Sequence, residues 1–154
     1  MNALQDPAMI DRLYEASQVG VRIDLIVRGI CCLIPGRKYS RNIRVTRIVD
    51  TFLEHARVWY FGNGGKPKLF LGSPDWMRRN LYRRIEAVTP ILDPDLKREL
   101  SDMLSIQLSD KRKACFVDDH LRNRWKSARP QKEKVRAQYT FYEYLKSGEL
   151  RVES

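Results

Sequence analysis

Residues 7–27 place an amphipathic helix, a glycine and an apolar strand in direct succession, and this order limits the chain to folds in which helices pack on a sheet. In residues 7–18, PAMIDRLYEASQ, apolar side chains recur at helical spacing and Pro7 suits the first turn. Gly20 follows, and residues 21–27, VRIDLIV, alternate and then become fully apolar, as a buried strand does. The order therefore predicts an α/β fold rather than an all-β fold.

Further segments extend this pattern over the rest of the 154 residues. VWYF and KLFL flank the turn sequence GNGG and predict a β-hairpin. A capping aspartate, a proline and leucines at helical spacing predict a helix over residues 93–110. Residues 43–53 fit a strand and a helix equally well. The remaining predictions are a buried strand over 52–61, another strand over 83–92, a short strand over 113–117, a basic connector over 122–134 and a last helix over 134–147.

The charge balance favours anionic ligands. The chain carries 29 Lys and Arg against 19 Asp and Glu, a formal net charge of +10. Such an excess concentrates polyanions near the protein and argues against a strongly cationic substrate. The sequence shows no signal-peptide pattern and no stretch near the ~20 apolar residues that span a bilayer. Its three cysteines match neither a disulfide framework nor a zinc spacing, so we expect a reducing cytoplasm.

One of the two histidines, His55, precedes Arg57 by two positions. Side chains two positions apart in a strand point to the same face, so we expect the imidazole and the guanidinium to lie side by side. An anion placed between two such groups would satisfy both, which makes an anion the natural ligand. The alternative is an ordinary histidine at a strand end with one solvated face.

The return strand of the predicted hairpin runs directly into Gly72, Ser73 and Asp75, with Asn80 a few residues later. Gly72 would allow a ligand to approach the backbone, while Ser73 and Asn80 offer neutral hydrogen-bond donors. Asp75 is placed to hold the imidazole of His55 in one tautomer. The alternative is a polar turn that starts a helix at Trp76.

Together these residues resemble the motif of phospholipase D-like phosphotransfer proteins, H-x-K followed by G-S-x-N. The matching residues here are His55-x-Arg57 and Gly72-Ser73-x-Asp75, with Arg for Lys and Asp for Asn. Gly62 replaces the acidic residue expected seven positions after the histidine, and the gap to Gly-Ser is a few residues longer. The resemblance implies a single α/β domain with a phospholipase D-like mixed β-sheet flanked by helices.

Nearly the whole chain also resembles the C-terminal domain of bacterial polyphosphate kinases. The RGICCL, FLEHxRV and SxDWMxRN elements are specific to that family. Residues 1–154 would then be the C-terminal catalytic domain of a longer chain. The runs that carry the resemblance are DRLYEAS (11–17), LIVRGICCLIPG (25–36), NIRVTRIVDTFLEHARVWYFGNGG (42–65), GSPDWMRRNLYRRIEAVTPILD (72–93) and KVRAQYTFYEYLKS (134–147).

This second resemblance implies reversible transfer of the ATP γ-phosphoryl group, through a phosphohistidine, onto inorganic polyphosphate. The family places the phosphorylated histidine and the Mg²⁺ in the preceding catalytic domain, so we expect no metal site here and no activity from the isolated chain. ATP or ADP and polyphosphate would be the ligands, and the full enzyme would be cytoplasmic or peripheral to the membrane and homo-oligomeric.

The same resemblance assigns Arg28 and His55 to the ATP phosphates, His55 also as a catalytic donor or general acid–base. Arg28 ends a buried strand beside Gly29, from which a guanidinium can present a fork of donors to phosphate oxygens; a solvated strand-end cation is the alternative. Supporting roles are expected for four residues: Arg57, Ser73, Asp75 and Asn80.

Two other functions remain open from the sequence. A phospholipase D-like nuclease or phosphodiesterase acting as a homodimer would need two copies of His55 facing each other. A non-enzymatic basic module would bind nucleic acid with a salt-sensitive affinity that is indifferent to Arg28 and His55. We recognise no RNA- or DNA-binding motif, so no nucleic-acid partner is expected.

Overall fold

Two β-sheets and four α-helices make up the part of the chain that the computed structural model describes, residues 1–126 and 135–147. This architecture confirms the predicted α/β class, although the strands form two sheets where one was expected. In chain order the elements are α1 (Pro7–Gln18), β1 (Ile23–Ile26), β2 (Ile43–Ile48), β3 (Val58–Phe61), β4 (Lys68–Gly72), α2 (Arg78–Arg83), β5 (Val88–Ile91), α3 (Pro94–Ser109), β6 (Ala114–Val117), β7 (Asn123–Trp125) and α4 (Ala137–Ser147).

The first sheet is mixed and holds most of the buried core. Its strand order is β1-β2-β6-β7, with β1 parallel to β2 and the other pairs antiparallel. Each fully buried aliphatic side chain stabilises the fold by roughly 1.5–3 kcal/mol before the entropy cost is counted. One cluster includes α1 and the other joins the sheet to α3 and α4; their buried members are Leu4, Ile10, Val27, Leu33, Ile43, Val45 and Val117, and Ile48, Ile106, Ala114 and Ala137.

The second sheet is antiparallel, in the order β3-β4-β5, and contains the predicted hairpin. The turn between β3 and β4 uses left-handed backbone at Asn63, Gly64 and Gly65, which explains its glycine content. Trp59 and Leu69 are the buried apolar side chains of its strands. Strand β5 is exposed over its first three residues, so this sheet is much less covered than the first.

Residues 2–6 join the two sheets. Their backbone bonds on one side to the loop after β1, through Leu4 N to Ile30 O at 2.9 Å. On the other side it bonds to the segment after β4, through Trp76 N to Ala3 O at 3.1 Å. The ends of β1 and β4 are thereby brought beside the same short stretch of chain.

The two longest helices begin where the sequence predicts them. The Asp6 carboxylate caps α1 by accepting from Met9 N at 3.0 Å, and Asp93 caps α3 in the same way. Helix α4 occupies 137–147 of the predicted 134–147, and positions 134 and 148 lie outside the described residues.

The predicted strand over 52–61 is wrong in its first half, since β3 begins only at Val58. The backbone N–H and C=O of Phe52 instead bond to the side chain of Gln138, so they are not available to a neighbouring strand. The predicted strand over 83–92 is shorter in the structure, where β5 covers Val88–Ile91. Residue 83 belongs to α2, and residues 84–87 are irregular. The ambiguous segment 43–53 forms strand β2 over its first six residues.

The basic connector predicted over 122–134 begins with regular structure. Residues 123–125 form β7, which pairs with β6 and extends the first sheet. Residues 127–134 lie outside the described part of the chain.

Candidate functional site

Arg57 lies at the centre of the site, in the irregular segment immediately before β3. Its Nη2 donates to Asp75 Oδ2 at 2.9 Å and its Nε to Asp75 Oδ1 at 3.3 Å, a two-pronged ion pair. Only 14% of the Arg57 side chain is exposed and 5% of that of Asp75. Such a shielded, bidentate pair fixes the plane of the guanidinium.

His55 lies against that guanidinium. Arg57 Nη1 is 3.2 Å from His55 Nδ1, and Nη2 is 3.0 Å from Nε2. Arg57 Nη1 also donates to the backbone carbonyl of His55 at 3.2 Å, so the guanidinium contacts both the ring and the main chain of His55. The structure thus brings His55 and Arg57 together, though through an irregular segment and in direct contact. The His55 side chain nevertheless remains exposed to solvent.

Asp75 does not contact the imidazole, contrary to the sequence-based expectation. It accepts hydrogen bonds from the backbone N–H groups of Asn2 and Ala3, at 2.8 and 2.9 Å, in addition to those from Arg57. Burial opposes its ionisation, but the hydrogen bonds from Arg57, Ala3 and Asn2 outweigh that effect and lower the pKa of Asp75. Asp75 therefore orients His55 only indirectly, through Arg57.

Asn2 connects Arg28 to this group. Its Oδ1 accepts from Arg28 Nε at 2.9 Å, while its backbone N–H donates to Asp75. Its carbonyl accepts from Gly29 N at 2.8 Å, and a Cβ at Gly29 would lie 3.0 Å from that oxygen. Among the described residues, the terminal nitrogens of Arg28 have no hydrogen-bond partner. A continuous chain of hydrogen bonds therefore links Arg28 to His55, through Asn2, Asp75 and Arg57.

Ser73 and Asn80 meet at a different carboxylate, that of Glu86. The hydroxyl of Ser73 donates to Glu86 Oε2, and Asn80 Nδ2 donates to Glu86 Oε1 at 2.6 Å. These two bonds, from Ser73 first and Asn80 second, lower the pKa of Glu86. Within the described structure Asn80 Oδ1 is buried without a partner. The two predicted donors are thus engaged by Glu86, which the sequence analysis missed; an acid just before strand β5 was the available signal.

Gly72 is required by a tryptophan rather than by a ligand. A Cβ at Gly72 would lie 2.5 Å from Cζ3 of Trp59. The indole of Trp59 covers this backbone and also stacks on Trp76, with ring centroids 6.3 Å apart. The predicted ligand approach at Gly72 is therefore wrong, because the space is filled.

The described residues offer no metal-binding group of three or more His, Cys, Asp or Glu side chains. The carboxylates of Glu54, Asp75 and Glu86 are each engaged by amide, hydroxyl or guanidinium donors. Mg²⁺ prefers carboxylate and water oxygens as ligands, and the oxygens of these three carboxylates already accept hydrogen bonds. No helix in residues 1–126 and 135–147 is long and apolar enough to cross a membrane.

Comparison with known proteins identifies the relatives of this chain. Residues 1–138 match the family described as polyphosphate kinase C-terminal domain 2. The polyphosphate kinase of Escherichia coli K12 is 49% identical over 150 residues, which cover 97% of this chain and 22% of that protein. The polyphosphate kinase of Synechocystis is 56% identical over 115 residues, 74% of this chain and 16% of that protein. The chain thus spans about a fifth of the length of the curated relatives.

A solved structure agrees with these sequence matches. The crystal structure of polyphosphate kinase from Porphyromonas gingivalis superposes with a TM-score of 0.92 at 57% sequence identity. The match covers 96% of this chain and 23% of that one.

Proposed function

The chain belongs to the polyphosphate kinase family, as its C-terminal domain, and from that premise we propose that it supplies phosphate-binding side chains to reversible phosphoryl transfer between ATP and polyphosphate. In this reaction the bond between the γ-phosphorus of ATP and the β–γ bridging oxygen breaks. ADP leaves with that oxygen, and the γ-phosphoryl group is transferred. A histidine in the preceding domain accepts it and passes it to a terminal oxygen of the polyphosphate chain. His55 is a phosphate ligand and proton donor in this scheme.

The observation that carries the proposal is the chain of hydrogen bonds that links Arg28 to His55. Phosphoryl transfer asks a protein mainly to position the reactants and to neutralise charge on the moving group. Arg57 is neutralised by Asp75, which leaves Arg28 and the exposed imidazole to meet an anion. The terminal nitrogens of Arg28 are unpaired among the described residues, and a fork of this kind matches two phosphate oxygens.

Arg57 and Asp75 act as positioning residues in this scheme, since their contacts are with each other and with the imidazole. Ser73 and Asn80 hold Glu86 at the start of β5. We assign Mg²⁺ to the preceding domain, as the family resemblance implies; the carboxylates of Glu54, Asp75 and Glu86 are already engaged by protein donors. The full enzyme would be a cytoplasmic or membrane-peripheral homo-oligomer.

Binding of ATP and long-chain polyphosphate, measured by calorimetry, tests the proposal. Arg28→Ala and His55→Ala are compared with Arg12→Ala and His120→Ala, which remove the same groups from exposed positions. We expect the first pair to weaken polyphosphate binding about tenfold, the loss typical of a charge-assisted hydrogen bond. The second pair should change it less than twofold.

Equal effects in the two pairs would overturn the assignment of Arg28 and His55. Salt-sensitive RNA binding that is unaffected by all four substitutions, with no polyphosphate binding, would favour a nucleic-acid module. Release of nucleotides or lipid headgroups that depends on His55 would favour a phosphodiesterase. Full polyphosphate synthesis by the chain alone would contradict a site shared with another domain.

A further inference from the structure

The segment immediately before His55 lies outside both sheets, and the start of α4 satisfies its backbone. Phe52 N donates to Gln138 Oε1 at 2.8 Å, and Gln138 Nε2 donates to Phe52 O at 2.7 Å. One amide side chain thus satisfies both backbone groups of Phe52, which a neighbouring strand would otherwise satisfy. Gln138 is only 8% exposed, so water cannot easily replace it.

The residue next to His55 is held by two helices at once. Glu54 Oε2 accepts from Gln138 Nε2 at 3.1 Å, and Glu54 Oε1 accepts from Gln107 Nε2 at 2.8 Å. Gln107 belongs to α3 and Gln138 to α4. Both carboxylate oxygens of Glu54 are therefore fixed from elements that contain none of the predicted site residues.

The first turn of α4 is itself anchored on both sides. Arg136 forms a bidentate ion pair with Asp50, at 2.8 and 2.7 Å, and also donates to Thr51 Oγ1 at 2.9 Å. Ala137 N donates to Asp110 Oδ2 at 2.7 Å. Gln138 is consequently presented from a rigid base rather than from a frayed helix end.

We propose that Gln138 and Glu54 are positioning residues that set the orientation of His55 toward a phosphate ligand. This inference rests on the proposed function. The imidazole is exposed and its side-chain contacts are with Arg57, so its direction also depends on the backbone that carries it. Releasing that backbone would require a ligand to order it on binding, which costs affinity.

The test compares Gln138→Leu and Glu54→Gln with Gln18→Leu, a substitution of an exposed glutamine on α1. Nuclear magnetic resonance of the 154-residue chain reports the ¹⁵N signals of the His55 ring and the hydrogen exchange of the Phe52 amide. Calorimetry reports polyphosphate binding, and urea unfolding separates these effects from global stability. In Gln138→Leu we expect more than tenfold faster Phe52 exchange, an averaged His55 signal and about three- to tenfold weaker binding.

A double variant, Glu54→Gln with Gln107→Glu, exchanges the carboxylate and the amide of that pair, keeps the net charge and leaves both bonds between Gln138 and Phe52 intact. It restores a donor–acceptor pair between the two side chains, so it should recover part of the His55 signal and of the affinity lost in the single Glu54→Gln variant. A purely structural role would show recovery of stability without recovery of the His55 signal. Should Gln138→Leu fail to fold, Glu54→Gln and the double variant decide the question.

The outcomes separate this inference from the proposed function. If wild-type chain binds polyphosphate through His55 and a folded Gln138→Leu variant binds equally well with an unchanged His55 signal, the positioning role is overturned. If wild type does not bind polyphosphate but Gln138→Leu still averages the His55 signal, Gln138 orients His55 for another ligand and the proposed function fails instead.

Discussion

The two sheets of this protein are packed very differently. Both buried apolar clusters lie against the first sheet, β1-β2-β6-β7, and draw on α1, α3 and α4. The strands of the second sheet, β3-β4-β5, bury Trp59 and Leu69, and β5 is largely exposed. The second sheet depends more on polar ties at its edge: the Arg57–Asp75 pair and the bonds of residues 2–6 to the segment after β4.

The candidate site is divided between these two differently packed parts of the molecule. Arg28 follows strand β1 of the well-packed sheet, while His55 and Arg57 precede strand β3 of the sparsely packed one. A site divided in this way is held together by specific hydrogen bonds rather than by a continuous core. Local opening of the second sheet should therefore precede global unfolding.

The largest expected effect comes from Leu33→Ala, in the core of the first sheet. Leu33 is fully buried, and truncating such a leucine lowers the free energy of unfolding by about 2–5 kcal/mol. The matched substitution Leu69→Ala, at a side chain 2% exposed, should instead act mainly on β3–β5. Urea unfolding followed by circular dichroism measures the first effect, and hydrogen exchange of individual amides measures the second.

Faster exchange confined to the second sheet in Leu69→Ala would show that this sheet opens independently of the first. Equal losses of global stability, with exchange accelerated uniformly over both sheets, would show that the two sheets unfold as one cooperative unit. That result would contradict the difference inferred between them.

The next largest effect is expected from Arg57→Leu, which leaves the buried carboxylate of Asp75 without its cation. Breaking such a pair costs about 3 kcal/mol of unfolding free energy, because one charge remains buried and uncompensated. Asp75→Asn removes that charge while keeping an oxygen for the N–H groups of Asn2 and Ala3. The double variant should lose less than the sum of the single losses, by about 1–3 kcal/mol.

A double-mutant cycle by urea denaturation measures this coupling. Simple additivity would mean that the pair contributes little, and that the second sheet is held to the first mainly by the backbone of residues 2–6.

The smallest effect is expected from Gly72→Ala. The added methyl group would overlap the Trp59 ring, and overpacking of this kind costs about 1–3 kcal/mol. Gly62→Ala in the same hairpin is the control, since nothing lies within 4 Å of its Cβ position and its φ of −63° is ordinary. Thermal unfolding should separate the two variants; equal transitions would mean that the indole moves aside freely.

Some features could be predicted from local sequence because they have local causes. Helix α1 was predicted with its observed bounds, since its proline, its apolar spacing and the glycine that follows all act within a few residues. The hairpin β3–β4 followed from the turn sequence GNGG for the same reason. The proximity of His55 and Arg57 was also predicted, although the strand that was expected to produce it does not extend that far.

Other features depended on partners that are distant along the chain. Asp75 was expected to contact His55, but the N–H groups of Asn2 and Ala3, more than seventy positions away, draw it to a different place. Glu86 was missed because its contacts with Ser73 and Asn80 arise only when β5 pairs with β4. Residues 52–57 do not form the predicted strand, because the backbone of Phe52 bonds to Gln138, which lies 86 positions later in the chain.

Sequence patterns alone were enough to predict the α/β class, the bounds of α1, the hairpin, and the family whose motifs include Arg28 and His55. Three features became visible only in the packed chain: the division of the strands into two sheets, the link from Arg28 to Asp75 through Asn2, and the bonds from Gln138 to the backbone of Phe52. The physical reason is range. Propensity, capping and turn geometry act over a few residues, whereas a buried polar group takes whichever partner the packed chain brings within hydrogen-bond distance.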